Sequence, residues 1–175
     1  MEKVILVDPQ DRPQGLMEKM EAHEKGLLHR AISVFVFNAA GKVMLQQRAS
    51  HKYHSPDLWT NTACSHPRDG ESALEAANRR LMEEMGLAST LNPAFTFIYK
   101  AEFDNGLIEH ELDHVFLGFS EEEPKLNPEE VRDWKWADPK AVSTGIVENP
   151  DLYTPWFKII WERVVKHLQE QPLQS

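Results

Sequence analysis

One cysteine in 175 residues excludes an internal disulfide, since a bridge needs two. Such a chain suits a reducing compartment, and its single thiol is free for packing or for chemistry. Basic residues are also in deficit: 19 Lys and Arg stand against 28 Asp and Glu, a net charge of -9. That balance disfavours nucleic acid and anionic membranes as partners, so an anionic ligand has to be met by local cations or metals. No apolar run approaches the roughly 20 residues that cross a bilayer, and the stretch from Ala31 to Phe37 is interrupted by Ser33. The opening MEKVILVDPQ has too short an apolar segment for a secretory signal, which leads to a cytoplasmic protein as the expectation. There is no internal repeat and no long Gly/Ser/Pro linker, so a single domain over residues 1–175 is expected. With 41% hydrophobic and 27% charged residues the composition is that of an ordinary globular protein.

What is present reads as strands first. Val4 to Val7 is a short apolar run ended by DPQDRPQG, while Ile32 to Phe37 and Lys42 to Arg48 flank Asn38-Ala-Ala-Gly41, a hairpin signal. A polar loop, HKYHSPD, follows. The clearest helix has Ser72 and Glu75 as a capping box, Leu74, Ala77, Leu81 and Met85 at helical spacing, and Gly86 as its stop. Phe95 to Phe103 and Leu107 to Phe119 are strand-like and are joined by the turn Asp104-Asn105-Gly106. After the acidic SEEEPKLNPEE, Val131 to Ala137 reads as a short strand, and Thr154-Pro155 opens an amphipathic helix through Trp156, Ile159, Ile160, Val164 and Leu168. Hairpins with two main helices predict an α+β fold rather than a doubly wound parallel sheet.

Several residues could carry chemistry. Arg80 and Glu84 lie four apart on the first helix, as do Arg79 and Glu83, so each pair shares a face. They read either as surface ion pairs or as an inward Glu84 that binds a divalent cation beside an arginine that meets a diphosphate. Glu109 and Glu111 sit two apart in a strand, roughly 7 Å along it and on one face. Two such acids repel unless a cation stands between them, and Leu107, Val115 and Leu117 on the same face argue for burial. His23, His29 and His66 with two glutamates would make a mixed nitrogen and oxygen site, although any one histidine reads equally as a packed or surface residue. Cys64 taken alone reads as a small buried hydrophobe.

Together, TNTACSHP, RRLMEEMG, IEHE, GLLHRAISVFVFN, LQQRAS and TPW resemble the type 1 isopentenyl-diphosphate isomerases, a branch of the Nudix fold, over most of the chain. The Nudix pattern G-x5-E-x7-R-E-U-x-E-E-x-G-U (U apolar) aligns on Glu71, Arg79, Leu81, Glu83, Glu84, Gly86 and Leu87. Ser65 stands at the first Gly and Arg80 at the central Glu. In Nudix hydrolases that glutamate helps hold the metals that activate water; an arginine is better suited to clamping a diphosphate kept intact.

The resemblance implies a mixed sheet flanked by helices, an α/β/α sandwich, and the isomerisation of isopentenyl to dimethylallyl diphosphate. It assigns Cys64 and Glu111 as opposed acid and base, Tyr99 as a hydrogen-bonding neighbour of Glu111, and Trp156 as the aromatic face for a carbocation. It gives His23, His29, His66, Glu109 and Glu111 to a Mn2+ or Zn2+ site, and Glu84 with the Cys64 carbonyl to Mg2+ carried by the diphosphate. Lys19, Arg48, Lys52 and Arg80 would contact the phosphates. It implies no flavin or nicotinamide, and a monomer or weak homodimer.

Overall fold

Strand β3 (His29–Phe37) is hidden on both faces, which fixes the layering of the molecule. Phe35 and Phe37 point to one side, where they meet Phe157 and Trp161; the rings of Phe35 and Phe157 stack with centroids 6.2 Å apart. Ile32, Val34 and Val36 point to the other side and pack on Ala76, Ala77, Leu81 and Met85. A strand that alternates between two apolar layers needs a helix over each face. These are α2 (Ala73–Met85) and α4 (Pro155–Glu170).

The computed structural model describes residues 2–52 and 54–172. Besides those three elements it contains β1 (Lys3–Val7), β2 (Pro13–Glu18), α1 (Lys19–Lys25), β4 (Val43–Arg48), β5 (Trp59–Thr60) and β6 (Ala63–Ser65). Further along come β7 (Asn92–Glu102), β8 (Ile108–Phe119), β9 (Val131–Ala137) and α3 (Pro139–Glu148). All nine strands belong to one mixed sheet. β3 and β8 run parallel, whereas β7 with β8, β4 with β9 and β3 with β6 are antiparallel. The result is the α+β sandwich expected. No helix among the described residues is long and apolar enough to cross a membrane.

Three details differ from the sequence expectation. Four α-helices are present among the described residues rather than two: α1 buries only Ala22 and His23 and has no side-chain cap, so it carries almost no periodic signal. The DPQDRPQG segment that ends the first apolar run leads into β2, an exposed strand that tolerates Pro13 and Gly15 because it sits at the sheet edge. The Asn38–Gly41 turn exists, but β3 and β4 share only the Phe37–Val43 rung, and β6 then takes the place beside β3. The HKYHSPD loop stays irregular where described; Tyr53 within it lies outside the described residues.

Helix α2 starts and ends as its residues dictate. Ser72 and Glu75 form the reciprocal capping box, and Gly86 closes the helix at φ 62°. A Cβ on Gly86 would stand 2.7 Å from the Lys125 carbonyl oxygen, so both the backbone angle and the passing chain demand glycine.

The registers of β3 position the site. His29 lies opposite Glu111 on β8, and Glu111 lies opposite Tyr99 on β7. On the other side of β3, Ser33 lies opposite Cys64 on β6.

Candidate active site

A cavity of about 120 Å³ opens at this end of the sheet. Its base is a nest of three imidazoles and a carboxylate. His23 on α1, His29 on β3, His66 after β6 and Glu111 on β8 bring their potential ligand atoms within 4.8 Å of one another. Glu111 Oε2 lies 2.9 Å from His29 Nε2 and 2.7 Å from His66 Nε2. His29 Nδ1 is 2.8 Å from the Leu27 carbonyl, which can only accept; that nitrogen therefore carries an N–H and leaves Nε2 to face the nest.

The electrostatics of the nest show what it suits. Burial and the neighbouring His66 push His23 down to about 4, so its ring is neutral near pH 7. Its Nε2 is buried with no hydrogen-bond partner among the described residues. Burial opposes charge on both partners of the His29–Glu111 contact. Against it, the hydrogen bond and charge of Glu111 raise His29, while His66 and His29 hold Glu111 well below the usual carboxylate range. Three imidazoles around an ionised carboxylate, with the His23 nitrogen orphaned, form a donor set that fits a divalent cation.

Glu109 adjoins this group across Tyr99 rather than standing among the four mutually close ligand atoms, and it lines the same cavity. Its Oε1 lies 2.5 Å from the Tyr99 hydroxyl, whose oxygen is also 2.6 Å from Glu111 Oε1. A phenol has one proton and cannot donate to both. Burial and the charge of Glu111 push Glu109 far up. The Tyr99 hydroxyl thereby bridges a carboxyl pushed up, Glu109, and one held low, Glu111.

Cys64 is half-buried and lines the same cavity. Burial, reinforced by the charge of Glu84, pushes its thiol up, so it stays protonated. Trp156, in the first turn of α4, is buried against the cavity with the Arg48 guanidinium 5.0 Å from its ring centroid.

Lys19, Lys52, Arg80 and Glu84 line the remaining wall with Arg48. Glu84 is buried, accepting from Gln46 Nε2 at 3.0 Å and from Arg80 Nε at 3.1 Å. Burial raises its carboxyl, and Arg80 opposes that rise. Glu84 thus points inward, and its ion pair with Arg80 lies in the cavity wall rather than on the open surface. Arg79 instead holds Glu71 through two bonds of 2.7 and 2.9 Å, tying the loop before α2 to the helix.

Sequence reasoning missed several participants. Glu130 forms an ion pair with Lys52 and lies 3.5 Å from Arg80 Nη2, and Glu2 meets Lys19 Nζ at 2.9 Å. Both acids hold cations at the cavity wall, and both come from distant segments. Asp113, two residues beyond Glu111, is completely buried; burial and the charge of Glu111 raise it to about 8, and its Oδ2 accepts from Ser33 Oγ at 2.7 Å. The alternation that places Glu109 and Glu111 on one face also marks Asp113.

Comparison with known proteins bears on this geometry. The NUDIX domain family model matches residues 27–157. A Pectobacterium atrosepticum protein named isopentenyl-diphosphate Delta-isomerase is 48% identical over 167 residues, covering 95% of this chain and 93% of that one. A Photorhabdus laumondii protein named isopentenyl-diphosphate Delta-isomerase 2 is 50% identical over 174 residues, covering 99% and 96%. Among solved structures, the fold is shared with DR0079 from Deinococcus radiodurans, at a TM-score of 0.78 and 19% identity over 93% of this chain and 98% of that one. With near-half identity along almost the whole chain and the NUDIX match across its centre, the chain belongs to the isopentenyl-diphosphate Delta-isomerase family of NUDIX-domain proteins.

Proposed function

We propose that this chain, acting as one domain, interconverts isopentenyl and dimethylallyl diphosphate by adding a proton at one carbon and removing one at another. The observation that carries the reading is the placement of Cys64 and Glu111. They rise from β6 and β8, which flank β3, at rungs four residues apart, Cys64 opposite Ser33 and Glu111 opposite His29; their backbones are separated by roughly 10 Å across the sheet and roughly 13 Å along it, on the same face. Both line one cavity whose wall carries Lys19, Arg48, Lys52 and Arg80.

An unactivated alkene is a very weak base, so the proton has to come from a group aimed at it in a site that excludes water. Cys64 gives its S–H proton to the terminal CH2 carbon, and the double-bond electrons form that C–H bond, leaving a tertiary cation at C3. The Trp156 face stabilises that charge, by up to about 2 kcal/mol when desolvated. Glu111 then takes a proton from C2, and the C–H electrons become the new double bond. The cycle leaves thiolate and carboxylic acid, and one proton passing back through solvent restores both. In the reverse direction the roles exchange. Tyr99, whose hydroxyl lies within hydrogen-bond distance of both Glu111 and Glu109, orients the base.

His23, His29, His66 and Glu111, with Glu109 beside them, would hold Mn2+ or Zn2+, and Glu84 with the Cys64 carbonyl would face Mg2+ brought in by the diphosphate. When bound, such cations supply positive charge that holds Glu111 ionised and neutralises the phosphates. Lys19, Lys52, Arg48 and Arg80 bind and orient the diphosphate, and substrate has to displace Glu130 and Glu2 from their cations. Arg80, at the position of a hydrolase glutamate, favours a diphosphate that is held rather than cut. A cytoplasmic monomer or weak homodimer acting on a small molecule fits the acidic charge.

Phosphorus NMR of the protein with Mg2+ and isopentenyl diphosphate tests this. Dimethylallyl diphosphate with both phosphorus resonances retained is the expected product, and exhaustive chelation stops its formation until Mn2+ or Zn2+ is returned. Release of inorganic phosphate with no allylic product would identify a hydrolase instead.

A further inference from the structure

His54 belongs to two spaces at once. It lines the reaction cavity, and it also lines an open groove of about 520 Å³ on the other side, together with Phe103, Tyr153, Pro155 and Lys158. Its ring stacks on Phe103 with centroids 4.9 Å apart and meets Trp156 edge-on at 5.6 Å, while Phe103 and Trp156 are 6.2 Å from each other. The three rings form a continuous partition, and His54 is the member common to both sides.

The partition is held in place from behind. Arg48 Nη2 donates to the His54 carbonyl at 3.3 Å. Three residues on, Asp57 is tied by Ser50 at 2.5 Å, by Gln47 at 3.0 Å and by Arg132 at 2.8 Å. Burial and the Arg48 charge keep the His54 ring neutral, with its pKa lowered to about 3, so it serves as a flat wall rather than as a cation.

Size gives the wall its consequence. The reaction cavity here is about 120 Å³ and its walls carry the diphosphate-facing cations as well, so the side closed by His54 bounds the space left for hydrocarbon. Beyond His54 there is space for it.

We propose that His54, wedged between Phe103 and Trp156, is the specificity-determining residue that limits the substrate hydrocarbon to five carbons. The inference rests on the proposed isomerase reading and adds to it the residue that sets chain length. Removing the ring joins the cavity to the groove, and a chain extended from C3 can pass through.

The test compares isopentenyl diphosphate with 3-methylenehexyl diphosphate, which carries a propyl group in place of the C3 methyl, in wild type, His54→Ala and His54→Phe. One methylene in an apolar pocket is worth about 10–200-fold in specificity. The expected result for His54→Ala is a rise of at least about tenfold in the ratio of kcat/KM, seven-carbon over five-carbon. The gain appears mainly as a lower KM for the longer chain, which general loosening of the fold would not give. His54→Phe, which keeps the ring, retains the wild-type ratio. Phe103→Ala opens the same partition from its other side, and is expected to raise the ratio even if His54→Ala does not fold. Ratios unchanged from wild type in both alanine variants overturn the inference while the isomerase reading stands. A wild type that already turns over the longer chain as well as the shorter one does the same. A wild type that isomerises neither substrate overturns the reading and the inference together.

Discussion

Cys64→Ala is expected to lower kcat for isopentenyl diphosphate by about 10³-fold, within the range of roughly 10²–10⁴ that a positioned proton donor contributes. Among the described residues the other acids of the cavity are engaged: Glu109 with Tyr99, Tyr99 with Glu111, and Glu84 with Arg80 and Gln46. Alanine removes the sulfur and keeps the β carbon, so the Ser33–Cys64 rung of the sheet remains. KM should therefore change little, and thermal unfolding should stay close to wild type. Steady-state kinetics with a melting curve checks both; near-wild-type turnover would remove the thiol from the mechanism.

Glu111→Gln is expected to do more, because one side chain serves two purposes. Its Oε2 is shared by His29 and His66, and its Oε1 receives Tyr99. Glutamine has nearly the same shape but no charge, and its amide group cannot take a proton from carbon. Turnover should fall by about 10³-fold or more from loss of the base alone. The variant should also bind divalent metal more weakly, because three imidazoles then lack the anion that completes their donor set. Metal content per chain after dialysis, measured beside turnover, separates the two losses. A variant that retains metal and turnover would refute both assignments.

Much of the framework behind these expectations is readable along the chain. The capping box of Ser72 and Glu75, the Gly86 stop, and the Thr154-Pro155 start of α4 are local signals, satisfied by residues three or four positions away. The same holds for the alternation that buries Glu109 and Glu111 on one face of β8. Elements held by tertiary contact leave weaker marks. α1 is seven residues with two of them buried, and it exists to deliver His23 to the nest. α3 does carry a local sign, the Asp138 cap followed by Pro139, but its Ser, Thr and Gly residues dilute the pattern.

The site divides in the same way. The cysteine, histidines and paired acids stand out by chemistry, whereas Tyr99 and Trp156 are expected only through the family resemblance and otherwise look like core aromatics. Glu130 and Lys52 are 78 positions apart, and no periodicity announces an ion pair formed by loops on different strands. His54 is equally silent, because a histidine in a polar loop shows nothing of the two aromatic rings from β7–β8 and α4 that close on it. Asp113 was within reach: the two-residue period that marks Glu109 and Glu111 continues to it.

Proton exchange with solvent is the most direct test of the central claim. Isopentenyl diphosphate incubated with the metal-loaded protein in D2O is followed by proton NMR, in which the Cys64 thiol has exchanged to S–D before substrate arrives. The account predicts dimethylallyl diphosphate carrying deuterium in a methyl group, with label entering C2 as well once the reverse reaction runs. Dimethylallyl diphosphate formed without deuterium would contradict it, since the hydrogen would then have moved within the substrate rather than through Cys64 and Glu111.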